Sequence, residues 1–260
     1  MPLFGTNGIR GVFGQDLSLE FLLDITRSLA AYYKEGSILV GRDGRNSNNI
    51  MFNIVTAILN SNGLDTVDAG VLPTPCLQYA TKKNQYKGGI MITASHNPPE
   101  YNGVKPIAKD GVELSREDEL VVEQIFENKS FISSSKLGRN FKEEMIVDDY
   151  IDDVLKLVNV DKIKKRKFKV TMDLGNGVQA IVAPELIKKL GCTVITVNGT
   201  VDGNFPGRGS EPTPSNLSLL SFITKETNSD IGAAYDGDGD RSIFCDEQGI
   251  VHWGDKTGTL

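Results

Sequence analysis

The chain has 260 residues, 39% hydrophobic and 24% charged, which excludes a disordered or fibrous class and leaves room for two domains of ordinary size. Its formal net charge of −6 excludes a general nucleic-acid or anionic-membrane surface, so any anion site must be built locally. No apolar run approaches the roughly 20 residues that span a bilayer, and "MPLFGTNGIRG" does not read as a leader, so the expected setting is cytoplasmic, with no membrane and no nucleic-acid partner.

From residue 38 the pattern alternates. "SILVGRD" reads as a buried strand, "NNIMFNIVTAILNSNG" as an amphipathic helix closed by Gly63, "TVDAGVL" as a strand, Pro75 to Asn84 as a short helix and "GGIMITAS" as a third strand. A further helix is expected from Ser115 to Glu127, with Ser115 as its N-cap. The polar stretch "NKSFISSSKLGRNFKEE" then interrupts the rhythm, followed by a helix, "DDYIDDVLKLV", and a basic run, "DKIKKRKFK", read as a solvated linker face. The alternation restarts with strand "FKVTMDL", helix "AIVAPELIKKLG" and strand "CTVITV", which places a domain boundary near residue 150. Residues 231 to 246 read as two strands flanking a carboxylate-rich loop. The expectation is an α/β protein: two consecutive three-layer α/β/α domains with mainly parallel mixed sheets. Cys76, Cys192 and Cys245 are widely spaced and read as reduced thiols.

Several stretches carry chemistry. In "YDGDGDR", Asp236, Asp238 and Asp240 alternate with glycine. Their carboxylates can converge on a hard divalent cation, Mg²⁺ foremost, against the blander reading of a solvated acidic turn. An EF-hand fails, because Arg241 stands where that loop needs glycine and the flanks read as strands. "MITASHNPPEYNGVK" reads as an exposed loop after a strand, with Ser95 either a nucleophile or a turn serine. A hydrolase triad fails on "TASHN", since His96 is too close to act as the base of Ser95, and His252 reads as structural. "GNGVQA" after a strand is either a dinucleotide turn lacking its acidic ribose partner or a plain helix entry. "FGTNGIRG" offers Arg10 in a glycine-rich turn that could bind an anion; Lys105 could be simply exposed; Arg241 could pair with an aspartate or reach a phosphate.

Gly5 to Gly11, "ITASHNP" and "DGDGDR" occur in one chain in the order and spacing that resemble the α-D-phosphohexomutase family, over essentially the whole sequence. That resemblance implies that Ser95 carries a transferred phosphoryl group and that Ser95, Asp236, Asp238 and Asp240 bind Mg²⁺ together. Arg10 is similar to the family arginine near the phosphoserine, Lys105 to its candidate general acid/base, Arg241 to its phosphate-side arginine and His96 to the histidine beside the serine. The implied activity is an intramolecular phosphotransfer, hexose 6-phosphate to hexose 1-phosphate through phosphoserine and a hexose 1,6-bisphosphate. The competing readings are a non-catalytic module for a metal or sugar phosphate and a dinucleotide-linked enzyme.

On this resemblance residues 1–150 form a first domain with the serine loop, 151–253 a second with the metal loop, and 254–260 the start of a third. Because the family has four domains, with a sugar-selecting loop in the third, this piece is expected to turn over poorly alone. The choice among glucose, mannose and glucosamine is open, with "FGTNGIRG" leaning toward the glucosamine type. The loop "GNFPGRGSEPTP" departs from members that carry histidines, having Arg208, Gly209 and Ser210, so the role of Gly207 to Ser210 is open too.

Overall fold

The computed structural model describes residues 3 to 5 and 8 to 257. The chain divides into two compact units: Met1–Ala94 with Glu100–Ile146, and Ser95–Pro99 with Val147–Leu260. Thr6 and Asn7 of the N-terminal motif, and residues 258 to 260 of the expected third-domain start, lie outside the described residues.

The first unit runs β1 (Ile9–Val12), α1 (Leu19–Tyr33), β2 (Ser37–Arg42), α2 (Asn48–Ser61), β3 (Asp65–Val71), α3 (Thr74–Lys83), β4 (Gly88–Ile92), β5 (Tyr101–Ile107), α4 (Arg116–Glu127) and β6 (Asn140–Lys142). Its sheet has the order β1-β5-β4-β2-β3-β6. The four strands from β4 to β6 are parallel, whereas β5 runs antiparallel to both β4 and β1. Alternation along the central strands decides which helix each face meets. Ile38, Val40, Ile90 and Ile92 join the core formed with Leu22, Ile25 and Leu29 of α1, Val55 of α2 and Val122 of α4. Gly41, on the opposite face, lies under Leu77 of α3, with Leu72 and Met91 beside it. Helix α1, which the alternation did not predict, begins at Ser18, whose Oγ accepts from Phe21 N at 3.2 Å.

A buried polar network braces the end of β2. Asp43 Oδ2 pairs with Arg45 Nε at 3.1 Å and accepts from Thr93 Oγ1 at 2.6 Å, while Asn48 Nδ2 donates to Asp43 Oδ1 at 2.6 Å. Arg45 Nη1 donates to Tyr101 O at 2.9 Å, and Asn102 Nδ2 to Asn48 Oδ1 at 2.7 Å. Burial pushes the Asp43 carboxyl up from its ordinary value, opposed by Arg45, Thr93 and Asn48.

The second unit adds α5 (Ile146–Leu155, whose first residue belongs to the first unit), α6 (Val160–Arg166), β7 (Lys169–Asp173), α7 (Gln179–Lys189), β8 (Thr193–Val197), α8 (Ser218–Glu226), β9 (Ile231–Tyr235), β10 (Ser242–Asp246), β11 (Val251–His252) and α9 (Gly254–Thr257). Its sheet order is β11-β10-β9-β7-β8, with β8, β7 and β9 parallel and β10 and β11 added antiparallel. The α/β class with mixed sheets is as expected. The basic run differs from expectation in being helical: Asn159 caps α6 by accepting from Lys162 N at 2.9 Å, and none of the helix is buried, so its charges are solvated as anticipated. All three cysteines are free. His252 Nε2 lies 2.8 Å from Asp246 Oδ2, in keeping with a structural role. Among the described residues no helix is long and apolar enough to cross a membrane.

Candidate active site

Strand β9 ends at Tyr235 and β10 starts at Ser242, so the three aspartates fall in the connection of an antiparallel hairpin. The alternating glycines let that connection fold tightly. One carboxylate oxygen from each of Asp236, Asp238 and Asp240 lies within 4.8 Å of the others, with Asp236 and Asp238 buried and Asp240 exposed. Asp236 is the hub: its Oδ1 accepts from Gly239 N and Arg241 N, both at 3.1 Å, and its Oδ2 accepts from Ser95 Oγ at 2.8 Å. Burial first, then the charges of Asp238 and Asp240, push the Asp236 carboxyl well above the ordinary carboxylate range; the bonds from Ser95 and Arg241 N offset this in part. Three hard oxygens converging at this spacing, in a site where the negative charge is costly, could hold a divalent cation. The residues present therefore fit a metal.

Ser95 follows β4 by three residues. The expected exposed loop holds only from 96 to 100, which are half-buried or exposed: Ser95 is 1% exposed, and Lys105 is 2% exposed because 101 to 107 is the buried strand β5 rather than loop. Ser95 has φ +50°, a left-handed conformation that costs a serine about 1–3 kcal/mol and that the surroundings must hold in place. His96 Nδ1 lies 3.4 Å from Ser95 Oγ, a long contact that suits an orienting neighbour better than a base. A Cβ on Gly237 would stand 2.6 Å from Ser95 O, so the serine loop and the metal loop approach this closely only because position 237 is glycine.

The turn "GNGVQA" supports the metal loop from below. Val178 N donates to Gly237 O at 3.2 Å, and Gln179 Nε2 to Gly239 O at 2.8 Å. A Cβ on Gly177 would meet Asp236 O and Gly237 O at 2.9 Å. The helix-entry amides are thus engaged by the protein itself, which favours the helix-entry reading over the dinucleotide one. The guanidinium of Arg208 fills the hollow over Gly175: Nη2 donates to Tyr235 O at 2.6 Å, and Nε lies 3.1 Å from Asp173 Oδ2, an ion pair whose angle falls outside hydrogen-bond geometry. Burial lowers the hold of Arg208 on its proton and Asp173 restores part of it.

The remaining expected residues are spread differently. Arg10 stands on β1 opposite Gly103, and Lys105 on β5 opposite Met91, both in the first unit. Lys105 Nζ pairs with Glu113 Oε1 at 3.0 Å, so it is a buried, partnered ammonium and not an exposed one. Arg241 contributes its backbone amide to Asp236, while its half-exposed guanidinium reaches only to 4.0 Å from Glu211 Oε1.

Residues 1–133 match the family described as phosphoglucomutase/phosphomannomutase, alpha/beta/alpha domain I, and residues 148–249 match its alpha/beta/alpha domain II. The chain belongs to the α-D-phosphohexomutases. It is 42% identical to a phosphoglucosamine/phosphogalactosamine mutase of Sulfurisphaera tokodaii over 99% of this chain and 58% of that protein. It is 40% identical to a phosphoglucomutase/phosphomannomutase of Thermococcus kodakarensis with the same two coverages. A crystal structure of a phosphoglucomutase/phosphomannomutase family protein from Burkholderia thailandensis superposes with a TM-score of 0.84 at 29% identity, covering 96% of this chain and 56% of that one. The chain thus spans somewhat over half the length of these phosphohexomutases.

Within this phosphohexomutase chain, the structure brings together Ser95, His96, Asp236, Asp238 and Asp240 in the second unit. Sequence reasoning left open the role of Arg208 and Ser210 and gave none to Gln179, the residues that hold these in place. A polar side chain inside a glycine-rich stretch, as at Arg208 and Ser210, was the one available signal; its partners are distant in sequence and left no local pattern.

Proposed function

We propose that this chain carries the phosphoryl-donor half of a phosphohexomutase, and that the hydrogen bond from Ser95 Oγ to Asp236 Oδ2, 2.8 Å long and beside the acidic triad, is the observation that carries the reading. Phosphorylated Ser95 gives its phosphoryl group to the free hydroxyl of a hexose 6-phosphate. The P–O bond to Ser95 breaks as the P–O bond to the sugar forms, leaving the serine hydroxyl and a hexose 1,6-bisphosphate. The bisphosphate turns over and returns its 6-phosphoryl group to Ser95, which releases hexose 1-phosphate.

Each remaining residue has a part in this account. Phosphate monoesters are inert enough that charge stabilisation and alignment must supply most of the acceleration. Phosphoserine brings about −1.5 to −2 charge beside three carboxylates, which demands positive charge nearby. A divalent cation, Mg²⁺ in our reading, would be held by Asp236, Asp238, Asp240 and an oxygen on Ser95, and would neutralise charge on the phosphoryl group. Arg10 and Arg241 offset charge on the phosphoryl oxygens, Lys105 handles the proton of the sugar hydroxyl and His96 orients the serine; these roles are carried over from the family motifs they match. The six-carbon sugar phosphate is taken from the names of the relatives, and the three free cysteines accord with a reducing compartment such as the cytoplasm.

Incubating the protein with glucose 1,6-bisphosphate and Mg²⁺ should add a single phosphate, located by mass spectrometry at Ser95 and absent from Ser95→Ala. Phosphate on another residue, or none at all, would overturn the assignment and favour a non-catalytic binding module.

A further inference from the structure

The loop after β8 has no part in the donor chemistry above, yet the second unit invests many of its polar contacts there. Asp202 N donates to Asn176 O at 3.0 Å and Gly207 N to Asn176 Oδ1 at 3.0 Å. Arg208 locks the middle of the loop to the ends of β7 and β9 through Asp173 and Tyr235 O, and Asn216 Nδ2 ties Arg208 O and Glu211 O at 3.1 and 2.8 Å. Two residues beyond this anchor stands Ser210, 5% exposed, with its Oγ 2.7 Å from His96 O and 2.8 Å from Asn97 O. Those are the carbonyls of the two residues that follow Ser95.

We propose that Ser210 is a positioning residue for the serine loop: its hydroxyl donates to the His96 and Asn97 carbonyls and so holds Ser95 in its left-handed conformation, with Oγ directed at Asp236. The inference rests on the phosphohexomutase reading for its consequence in transfer, and on geometry alone for its consequence in loop order. A serine is suited to the task because one short, buried donor between two carbonyls fixes a peptide pair without occupying the space a phosphoryl group needs. The anchor matters equally: a hydroxyl on a loose loop would follow the serine loop instead of restraining it. Since Asp173 and Tyr235 lie on the strands that lead into "GNGVQA" and the metal loop, Ser210 references the serine to the same sheet ends as the aspartates. Misplacing a reacting group by about 1 Å can cost on the order of a hundredfold in rate.

The test compares Ser210→Ala and Ser210→Thr with the parent chain. Phosphate uptake by Ser95 from glucose 1,6-bisphosphate is followed by mass spectrometry, Mn²⁺ affinity by titration and backbone order by hydrogen exchange. Ser210→Ala should take up phosphate roughly ten- to a hundredfold more slowly, with a far smaller loss of Mn²⁺ affinity, because the three aspartates among its ligands keep their own supports. The peptide containing residues 95 to 99 should exchange about tenfold faster, with the rest of the unit unaltered. Ser210→Thr, which retains the hydroxyl, should restore both. Unaltered exchange of that peptide in Ser210→Ala, a general rise in exchange across the unit, or a loss that threonine does not mend would overturn the proposal. If the parent chain accepts no phosphate, the functional reading fails, and the exchange comparison alone decides this one.

Discussion

Asp43 and Asp236 are both buried carboxylates at the ends of parallel strands, both are pushed up from their ordinary values chiefly by burial, and they end in opposite situations. Around Asp43 the neighbours offer compensation: a guanidinium, two amide groups and a hydroxyl. Around Asp236 the charges that weigh most are two more aspartates, which raise the cost of its charge further. A network that is complete within itself reads as scaffold. One that crowds three carboxylates together reads as a site built around something positive, and the contrast separates architecture from chemistry without reference to any relative.

The sharpest way to break this comparison is to remove each acid. Asp43→Ala leaves the Arg45 guanidinium buried without its partner and should cost about 3–5 kcal/mol of unfolding free energy, measured by urea denaturation. A cost near zero would show that the first network is dispensable. Next in size is the response to metal: adding MgCl₂ to about a hundredfold above its dissociation constant should stabilise the protein by about 2.7 kcal/mol, read as a rise in thermal midpoint. That rise should vanish in Asp238→Asn and persist in Asn48→Ala, which perturbs only the Asp43 network.

The gentlest effect, taken per pH unit, is the pH dependence. Without metal, Asp236 holds its proton more tightly folded than unfolded, so its contribution to stability is complete below the unfolded value of about 3.8 and is lost as pH rises through the raised folded value. The slope is at most about 1.4 kcal/mol per pH unit for that proton. Asp43 contributes with the same sign, since its value is also raised. Urea midpoints across this range should therefore fall with rising pH, and Mg²⁺ should flatten the share due to Asp236 while leaving that of Asp43.

Much of the frame was legible because its signals are local. Strands such as "SILVGRD" are short apolar runs, and Ser115 announces α4 by capping it, accepting from Asp118 N at 3.2 Å. Strand β5 was not legible, since "YNGVKPI" contains a glycine and a proline that argue against a central strand; tertiary pairing overrides them, with Pro106 opposite Ile90 and Gly103 opposite Arg10. The reading of Ser95 as exposed failed because the residues that cover it, Asp236 and Gly237, are distant in sequence. In the site, three aspartates alternating with glycine could be read because they are neighbours in the chain. The hold of Ser210 on His96 and Asn97 could not, because it spans more than a hundred residues and depends on where Arg208 is anchored.

The segment Ser95–Pro99 is counted with the second unit although the chain on either side of it belongs to the first. Cutting the gene at the boundary after residue 146 would therefore separate the serine from its acidic companions, and neither fragment would own a whole centre. Swapping one unit for that of a distant cousin would likewise pair a foreign loop with a native cradle. Inheritance of this chemistry is tied to the uncut chain, and the two halves must drift together.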